Sequence, residues 1–538
     1  METVSFTRQL SVAENVDVLV VGAGPAGIGA AVCAARNGAR TLVFDQNGCV
    51  GGQATTGLVG PFMTCYDAQN KKMVIRGIFE EVVARMKTLG GAVDPADVEA
   101  EEPFSGFYKI GHAHVGPFDH ECFKLVCTQM LAESGAKLLL HTQFIDVLQE
   151  NGRITGVVAA NKSGLFLFRA KVVIDCSGDA DVAARSGVKF ELGRVEDGNM
   201  QPATLFFRVG NVDTPRLKAH IREHRDEIRP FYGPFSWLIR EKAAEWGDVP
   251  RGEVCLFESP AAGEYRLNVT RILDVDGTNA EDLTRAELEG LRQAHQVFGF
   301  LKKYAPGFEN ARFLDTAATI GIRETRHVDG LYRLTVDDVR ACRVPDDSIA
   351  VMATNMDTHN KNDPGGTYYT LENGPFFGVP YRCLIPRGIS NLLVAGRSIS
   401  ADAMAGSAIR MIPCCLVFGQ AAGTAAAMAA SGACDPSRVD AQALRSLLLQ
   451  QGIWGNSLVT RKAPAGAFAL FIKESGRQLK MLPPVFHTVI ICCTNLLLLI
   501  PAPPEVFHIQ SAGRTAFRTR AAAIPTASPI AMQIDITR

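Results

Sequence analysis

The sequence lacks several features that would place it in a specialised class of proteins. Its 14 cysteines include no Cys-x-x-Cys pair, and the neighbouring pairs at 414–415 and 492–493 are poorly spaced for zinc or iron–sulfur ligation. The formal net charge of -1 gives no broad attraction to nucleic acid. Residues 1–15 lack the apolar run of a secretory signal. We therefore expect a cytoplasmic globular protein with reduced thiols, no metal site and no nucleic-acid partner.

A strong membrane signal is also missing. Residues 485–500 are strongly apolar, but they fall short of the ~20 residues of a spanning helix and contain His487 and Asn495. We expect a packed or poorly ordered segment there, and a membrane anchor is the less favoured alternative. Residues 456–538 carry nine Lys or Arg against three Asp or Glu, with scattered prolines and no clear periodicity. This tail is predicted to be an appendage outside the catalytic fold, with disorder as one possibility.

The N-terminal region has the pattern of a strand–turn–helix–strand unit. A continuous apolar run at 17–21 predicts a buried parallel strand, an Ala-rich stretch at 28–36 predicts a helix, and 41–44 predicts the next strand. The whole unit has the roughly 30-residue length of a βαβ motif. Because 538 residues exceed what one core usually organises, two or more domains are expected.

Further elements support an α/β fold. They are a helix at 123–134, a strand at 137–141, a hairpin of 144–149 and 154–160 around Asn151-Gly152, strands at 171–175 and 391–396, and a helix at 413–430. Residues 201–310 contain no phosphate-binding turn and mix strands such as 204–209 with a long helix at 286–304. The predicted organisation is a discontinuous Rossmann-like domain at 15–200 and 311–455, an inserted α+β substrate domain at 201–310, and the tail.

The turn after the first strand has the spacing of a dinucleotide-binding site. Gly22, Gly24 and Gly27 form Gly-x-Gly-x-x-Gly between a predicted strand and helix, with the small Ala26 among them. The first glycine permits the tight turn, the second lets backbone approach a pyrophosphate, and the third allows close helix packing. The helix N-terminus offers N–H groups to phosphates. Asp45 ends the second strand and can accept a hydrogen bond from a ribose hydroxyl, which suits FAD or NAD.

The next loop favours FAD over NAD. Gly51 and Gly52, followed by Gln-Ala and Thr55, come directly after the acidic strand end. A loop of such small residues can run along a ribityl chain or an isoalloxazine ring, where larger side chains would clash. A simple NAD dehydrogenase needs nothing at this position.

With these motifs placed, the chain resembles FAD-dependent oxidoreductases of glutathione-reductase-like fold over roughly residues 15–454. The resemblance is carried by GAGPAG at 22–27, GGQAT at 51–55, IDCSGDADVAA at 174–184, IGIRETR at 320–326, and NLLVAGRSIS through GQAAGTAAA at 391–427. It implies FAD as the cofactor. Two departures from the family pattern are His327, where a basic residue is expected, and Asp45, where Glu is commoner.

The resemblance also implies roles for individual residues. Asp45 would hold the adenosine ribose. Ser177, Gly178 and Asp179 would close over the adenine and phosphate groups, and Gly396 and Arg397 would lie near the ribityl and pyrophosphate groups. A helix starting near Gly419 would bring its N-terminus to the flavin pyrimidine edge, with the small residues Ala421, Ala422 and Gly423 allowing that approach.

Four residues are candidates for the chemistry. Arg323 and Arg326 could bind a carboxylate or stabilise an anion, with a structural ion-pair network as the alternative. His359 lies in a polar loop where an imidazole can exchange protons with a substrate, although a structural role is equally open. Tyr381 could line the substrate face or simply pack. Cys49 has no partner cysteine, so disulfide reductase chemistry is not predicted.

The leading hypothesis is a dehydrogenase or oxidase that transfers hydride between a small organic substrate and flavin N5. A flavin monooxygenase using NAD(P)H and O2 and a membrane-associated flavin electron-transfer subunit are the alternatives. The sequence leaves open the substrate, the electron acceptor (O2, NAD(P), a quinone or a protein) and whether the chain forms a homo-oligomer.

Overall fold

The structure is a computed structural model in which the chain falls into two units, Met1–Leu458 and Val459–Arg538. It describes residues 4, 7–63, 65–98, 114–195, 198–224, 235–247, 249–360, 363–369, 371, 373–454, 488–493, 496–501 and 508–510. Of residues 360, 363–368, 488–493, 496–501 and 508–510 it describes only the backbone.

The strands and helices of the first unit are numbered here in chain order. The strands are β1 (Ser11–Val21), β2 (Thr41–Phe44), β3 (Lys137–Leu139), β4 (Gln143–Glu150), β5 (Arg153–Asn161), β6 (Gly164–Asp175), β7 (Phe190–Leu192), β8 (Phe207–Gly210), β9 (Cys255–Glu258), β10 (Tyr265–Asn268), β11 (Arg312–Thr316), β12 (Arg326–Val328), β13 (Ser348–Met352), β14 (Met356–Asn360), β15 (Asp363–Tyr369), β16 (Phe377–Pro380) and β17 (Leu392–Val394). The helices are α1 (Pro25–Arg36), α2 (Ile78–Thr88), α3 (His120–Ser134), α4 (Asp181–Arg185), α5 (Thr214–Glu223), α6 (Ser236–Trp246), α7 (Ala280–Tyr304), α8 (Val336–Arg340), α9 (Ala403–Ile409), α10 (Ile412–Ser431) and α11 (Ala441–Gln450).

The predicted α/β fold is confirmed by a seven-stranded sheet. Its strands run in the order β3-β2-β1-β6-β5-β4, and β17 pairs with the C-terminal end of β6. Strands β1, β2, β3, β6 and β17 are parallel, whereas β4 and β5 form the antiparallel hairpin expected around Asn151-Gly152. The carboxyl ends of the parallel strands therefore meet at one edge, where ligands bind in open α/β sheets.

Helices α1 and α10 pack against each other beside this sheet, and small residues allow their close approach. A side chain at Gly419 would bring its Cβ within 1.9 Å of the Ala26 carbonyl oxygen, and one at Gly423 within 2.1 Å of the Ala30 oxygen. Helix α10 is long and apolar enough to cross a membrane, the one such helix in the described part of the chain. However, 94% of its most apolar 18-residue window is buried inside the protein. It is therefore a core helix whose apolar character comes from packing.

The inserted region forms a second sheet, antiparallel, with the strand order β11-β8-β10-β9. Its first strand begins at Phe207, three residues later than the predicted start. The long helix α7 packs on it through residues such as Val297 and Leu301, which are fully buried with Phe207. Because β11 spans Arg312–Thr316, this sheet continues beyond the boundary expected at residue 310.

In the second unit, three strands are described: β18 (Thr488–Cys493), β19 (Leu496–Pro501) and β20 (His508–Gln510). They form an antiparallel sheet in the order β18-β19-β20. Most of the apolar segment at 485–500 thus lies in two paired strands. The rest of the tail predicted for 456–538 lies outside the described residues, and its predicted disorder stays a prediction.

Candidate active site

A cavity of about 670 Å³ lies at the carboxyl ends of the parallel strands. Its size is within the range of small-molecule and cofactor sites. It is lined by Gly22 after β1, Asp45 after β2, Ser177 after β6 and Gly396 after β17, and also by side chains of the inserted region. The sheet topology therefore gathers into one cavity residues that are far apart in the sequence.

The glycine turn forms one end of the cavity. Gly22 has a φ of +96°, and a Cβ there would lie 2.5 Å from the Cys176 carbonyl oxygen. A Cβ at Gly27 would lie 1.8 Å from the Gly22 oxygen, so this glycine allows the helix–strand contact and does not line the cavity. At Gly24, by contrast, the nearest atom to a Cβ would be Gly52 Cα at 3.9 Å. Gly24 and Ala26 line the cavity at the start of α1.

A second helix N-terminus reaches the cavity, but not at the predicted residues. Helix α10 begins at Ile412, with Pro413 in its first turn, and Met411, Ile412 and Cys415 line the cavity. The expectation that Gly419, Ala421, Ala422 and Gly423 lie at the start of this helix is wrong. These four residues are buried in the middle of α10, and the two glycines contact α1 as described above.

The acidic strand end and the loop after it organise the next part of the wall. One carboxylate oxygen of Asp45 accepts a hydrogen bond from the Ala23 N–H at 2.7 Å, and the other accepts from Asn47. Asp45 and Gly52 line the cavity, whereas Gly51 and Thr55 lie behind it. Thr55 Oγ1 donates to the Val50 carbonyl at 2.8 Å, which closes the loop. A role for Asp45 on a ribose remains a prediction.

The turn after β6 is held by Asp175, which is buried below it. Its carboxylate accepts from the Ser177 N–H at 3.1 Å, the Ser177 hydroxyl at 2.7 Å and the Ala183 N–H at 3.0 Å. Burial raises the pKa of Asp175 to about 6 despite these bonds. The cavity-lining residues Ser177, Gly178 and Asp179 follow directly, so Asp175 fixes the course of this part of the wall.

Arg397 follows β17 and joins the turns after β6 and β17. Its Nη2 lies 2.6 Å from Asp179 Oδ1, and Ser398 donates to the Gly178 carbonyl at 2.7 Å. Arg326 also contacts this region, donating to the Asp179 carbonyl and to Asp181 at 2.7 and 2.8 Å. It does not line the cavity. The prediction that Arg326 takes part in the chemistry is therefore wrong. Arg326 supports the turn after β6, which is the structural alternative considered from the sequence.

Five polar residues form a distinct region of the cavity lining that we call the arginine–histidine wall: Arg251, Arg323, Asp357, His359 and Arg410. His359 is buried, and its Nε2 lies 3.1 Å from Asp357 Oδ1. Arg410 donates to the Asp357 carbonyl oxygen at 2.9 Å. Arg323 donates to Thr204 Oγ1 at 2.6 Å and also contacts the Pro202 carbonyl.

The charges of this wall act on one another because the groups are removed from water. Burial lowers the pKa of His359 to about 4; the Arg323 and Arg251 guanidiniums act in the same direction and Asp357 opposes them. Burial alone would raise the pKa of Asp357, but the His359 imidazole and the arginine guanidiniums hold it below its ordinary value. At neutral pH the wall therefore presents a neutral imidazole beside an ionised carboxylate.

Tyr381 is placed elsewhere, so its prediction as a candidate for the chemistry is wrong. Its ring is buried, and its hydroxyl donates to the Pro436 carbonyl at 2.9 Å. It does not line the cavity. The packed aromatic role considered from the sequence is the one observed.

Sequence reasoning missed Arg251, Asp357 and Arg410. Each carried a weak signal: Asp357 is two residues from His359 in the same strand, and Arg410 directly precedes the first turn of α10. Gln53 was noted only as part of a small-residue loop. It lines the cavity, and its Nε2 donates to the Ile320 carbonyl at 3.3 Å.

These features fit a bound dinucleotide. Gly24 leaves open space where its Cβ would project, and α1 and α10 both begin at the cavity. Gln53 Oε1 and Arg397 Nε lie on the lining, are buried and have no hydrogen-bond partner among the described residues. Ligand groups can satisfy such atoms, whose burial without partners is otherwise costly.

A family model described as FAD dependent oxidoreductase matches residues 17–448. The chain belongs to this family. The match covers the glycine turn, both halves of the Rossmann-like domain and the insertion. FAD is accordingly the cofactor of this FAD-dependent oxidoreductase. No group of three or more His, Cys, Asp or Glu residues that could hold a metal ion is found within the described ranges.

Among curated proteins, thiamine thiazole synthase of Aeropyrum pernix is 31% identical over 203 residues, or 35% of this chain and 62% of that protein. Digeranylgeranylglycerophospholipid reductase of Methanocella arvoryzae is 25% identical over 218 residues, or 37% of this chain and 51% of that protein. The chain thus spans less than two thirds of the length of these relatives. A geranylgeranyl bacteriochlorophyll reductase-like structure from Thermoplasma acidophilum aligns over 81% of this chain and 84% of its own, with 16% identity and a TM-score of 0.41.

Proposed function

We propose that this FAD-dependent oxidoreductase oxidises a small organic substrate that binds at the arginine–histidine wall, with hydride transferred to the flavin. The observation that carries the proposal is the position of His359. This buried, neutral imidazole lines the same cavity as the dinucleotide turn. Bound FAD supplies the hydride acceptor at N5, so the residues of the chain have to orient the substrate and manage its proton.

His359 has the properties of a proton acceptor. Its lowered pKa keeps the imidazole neutral at pH 7, so that a ring nitrogen can take the proton that an O–H or N–H group loses as the adjacent C–H bond is oxidised. Asp357 Oδ1, at 3.1 Å from Nε2, stabilises the imidazolium that forms. The backbone N–H of His359 donates to Gln201 Oε1 at 3.2 Å and fixes the strand at this point.

Arg323 has the properties of a positioning group. It is held between the Pro202 carbonyl and Thr204 Oγ1 and faces the cavity within electrostatic reach of His359. A guanidinium in this position can donate to an oxygen of the substrate and orient it beside the imidazole. The sequence contains one Gly-x-Gly-x-x-Gly turn, which supports a dehydrogenase or oxidase rather than an enzyme that stably binds a second dinucleotide.

The test begins with an anaerobic screen of alcohols, amines and hydroxy acids for loss of the visible absorption band of the bound flavin. With a substrate in hand, His359→Gln is expected to slow flavin reduction by about 100- to 10,000-fold, the usual contribution of a general base. Tyr381→Phe, a buried change outside the cavity, is the matched control and should reduce its flavin at the wild-type rate. Equal rates for wild type and His359→Gln at equal FAD content would overturn the proton role.

A further inference from the structure

The arginine–histidine wall has a second property, a concentration of guanidinium groups from three separate loops of the chain. Arg251 precedes β9, Arg323 precedes β12, and Arg410 lies between α9 and α10. All three line the cavity. Arg251 is only 3% exposed, and the side chain of Arg410 is 9% exposed. Guanidinium groups at such depth are expensive to bury, and their mutual repulsion is strong where water is excluded.

Two of these arginines have a carboxylate beside them. Glu253 lies 2.7 Å from Arg251 and is fully buried, so this pair is a structural feature of the insertion. Asp357 lies closer to His359, at 3.1 Å, than to the Arg410 guanidinium, at 3.8 Å. An anion that enters the cavity meets the guanidinium groups of Arg323 and Arg410, which both line it. Guanidinium groups match a carboxylate with two parallel hydrogen bonds.

Four apolar side chains also line the cavity, and we call them the apolar arm: Phe206, Phe257, Leu283 and Ile322. Phe206 is two residues from Thr204, which accepts a hydrogen bond from Arg323, and Ile322 is next to Arg323 in the chain. The apolar arm thus adjoins the guanidinium groups, and a ligand that fills both has a charged head and an apolar body.

Asp357 affects how much negative charge the head group of a bound ligand can carry. This carboxylate is ionised at neutral pH and lines the same wall, so it repels a dianion more strongly than a monoanion. A phosphate monoester carries close to two negative charges at pH 7. The attraction to the guanidinium groups also doubles for a dianion, but the cost of removing the head from water rises more steeply than its charge, so this buried wall favours a carboxylate over a phosphate.

We infer that the substrate of this FAD-dependent oxidoreductase is a carboxylic acid with an apolar body, whose carboxylate binds to Arg323 and Arg410 and whose body occupies the apolar arm. This inference rests on the proposed function, because it assigns the substrate class of the same site. It also makes Arg410 a specificity-determining residue.

The test measures ligand binding to the purified holoenzyme through perturbation of the visible flavin spectrum, with benzoate, benzamide and phenyl phosphate as probes. Benzoate and benzamide have nearly the same shape and differ in charge. Benzoate is expected to bind about 10- to 100-fold more tightly than benzamide, the effect of one or two hydrogen bonds to a charged group. Equal binding of the two, tighter binding of phenyl phosphate, or no response to benzoate at millimolar concentration would overturn the inference.

Variants locate the effect. Arg410→Met should remove most of the preference for benzoate and leave benzamide binding nearly unchanged, whereas Arg410→Lys should retain part of it. Arg292→Met is the matched control, because Arg292 is exposed on α7 and pairs with Glu289. FAD content and circular dichroism establish that each variant is folded. If Arg410→Met loses its FAD, the wild-type comparison of benzoate with benzamide still decides the outcome.

The assay also separates this inference from the proposed function. Spectral perturbation requires no turnover, so equal binding of benzoate and benzamide removes the carboxylate class without touching hydride transfer. Conversely, a flavin that no organic substrate reduces would contradict the proposed function even if benzoate binds tightly.

Discussion

The two glycines at the start of α1 have opposite surroundings, and this difference predicts opposite effects of the same substitution. Gly24 has φ −69° and ψ −174°, an extended conformation that alanine adopts without strain. A Cβ there meets ordinary contact distance at most, with Gly52 Cα at 3.9 Å. Gly27 is packed so closely that its Cβ would lie 1.8 Å from the Gly22 carbonyl oxygen. The first position faces ligand space, and the second faces protein.

For Gly24→Ala the stability of the protein without FAD should hardly change. Alanine is a poorer N-cap than glycine by a few tenths to about 1 kcal/mol, and the lower entropy of the unfolded chain returns about 0.4–1 kcal/mol. FAD binding should suffer instead, because the new methyl group enters the cavity that the pyrophosphate would occupy. Overpacking of this kind costs about 1–3 kcal/mol, which corresponds to roughly a 5- to 150-fold increase in Kd.

Gly27→Ala should instead lower the free energy of unfolding of the protein without FAD by at least about 1–3 kcal/mol, since backbone has to move. The measurements are urea unfolding of each FAD-free variant and titration with FAD, followed by quenching of flavin fluorescence. FAD binding by Gly24→Ala as tight as by the wild type would contradict the ligand-facing position of Gly24. Equal destabilisation of the FAD-free protein by Gly24→Ala and Gly27→Ala would contradict it as well.

Two further predictions concern buried charges. Asp175→Asn loses acceptor capacity for the three hydrogen bonds that hold the turn after β6, so the free energy of unfolding should fall by about 1–3 kcal/mol. Burial raises the pKa of Asp175 to about 6 in the folded protein. The carboxyl therefore stabilises the fold fully at pH values below its pKa in the unfolded chain, and this contribution is lost as the pH rises through about 6. Urea unfolding at pH 4.5 and 7.5 should show a smaller difference between wild type and variant at the higher pH, and a constant difference would contradict the raised pKa of Asp175. Glu253→Gln removes the carboxylate beside the buried Arg251 and should cost about 3–5 kcal/mol, whereas Glu289→Gln, at an exposed pair, should cost less than about 1 kcal/mol. Similar losses of unfolding free energy for the two variants would contradict the larger contribution expected of the buried pair.

The parts of the fold that the sequence could predict are those set by local pattern. The apolar runs of β1 and β2 and the glycine spacing between them identified the dinucleotide turn, and the Asn-Gly signal identified the β4–β5 hairpin. The end of the insertion was harder to place, because β11 pairs with β8 across almost the whole inserted region. Its boundary depends on a long-range pairing that a single sequence does not display.

The arginine–histidine wall was only half predictable for the same reason. Arg323 and His359 stood in distinctive segments. Arg251 and Arg410 become candidates only when the fold brings the insertion and the start of α10 to one cavity. The glycines of α10 illustrate the opposite error. The resemblance placed Gly419 and Gly423 at a helix N-terminus beside the flavin, yet close packing against α1 explains them.

The most direct test of the proposed chemistry is the rate constant of flavin reduction as a function of pH, measured anaerobically for wild type and His359→Gln with the same substrate. Since burial and the neighbouring arginines lower the pKa of His359 to about 4, the wild-type rate should be constant near neutral pH and fall as the pH drops toward that value. Binding of an anion at Arg323 would offset the positive charge beside the imidazole and move this fall to higher pH. His359→Gln should be slow at every pH and lack the acid limb. A wild-type profile shared by the variant would show that His359 takes no proton, and the account of this cavity would be wrong.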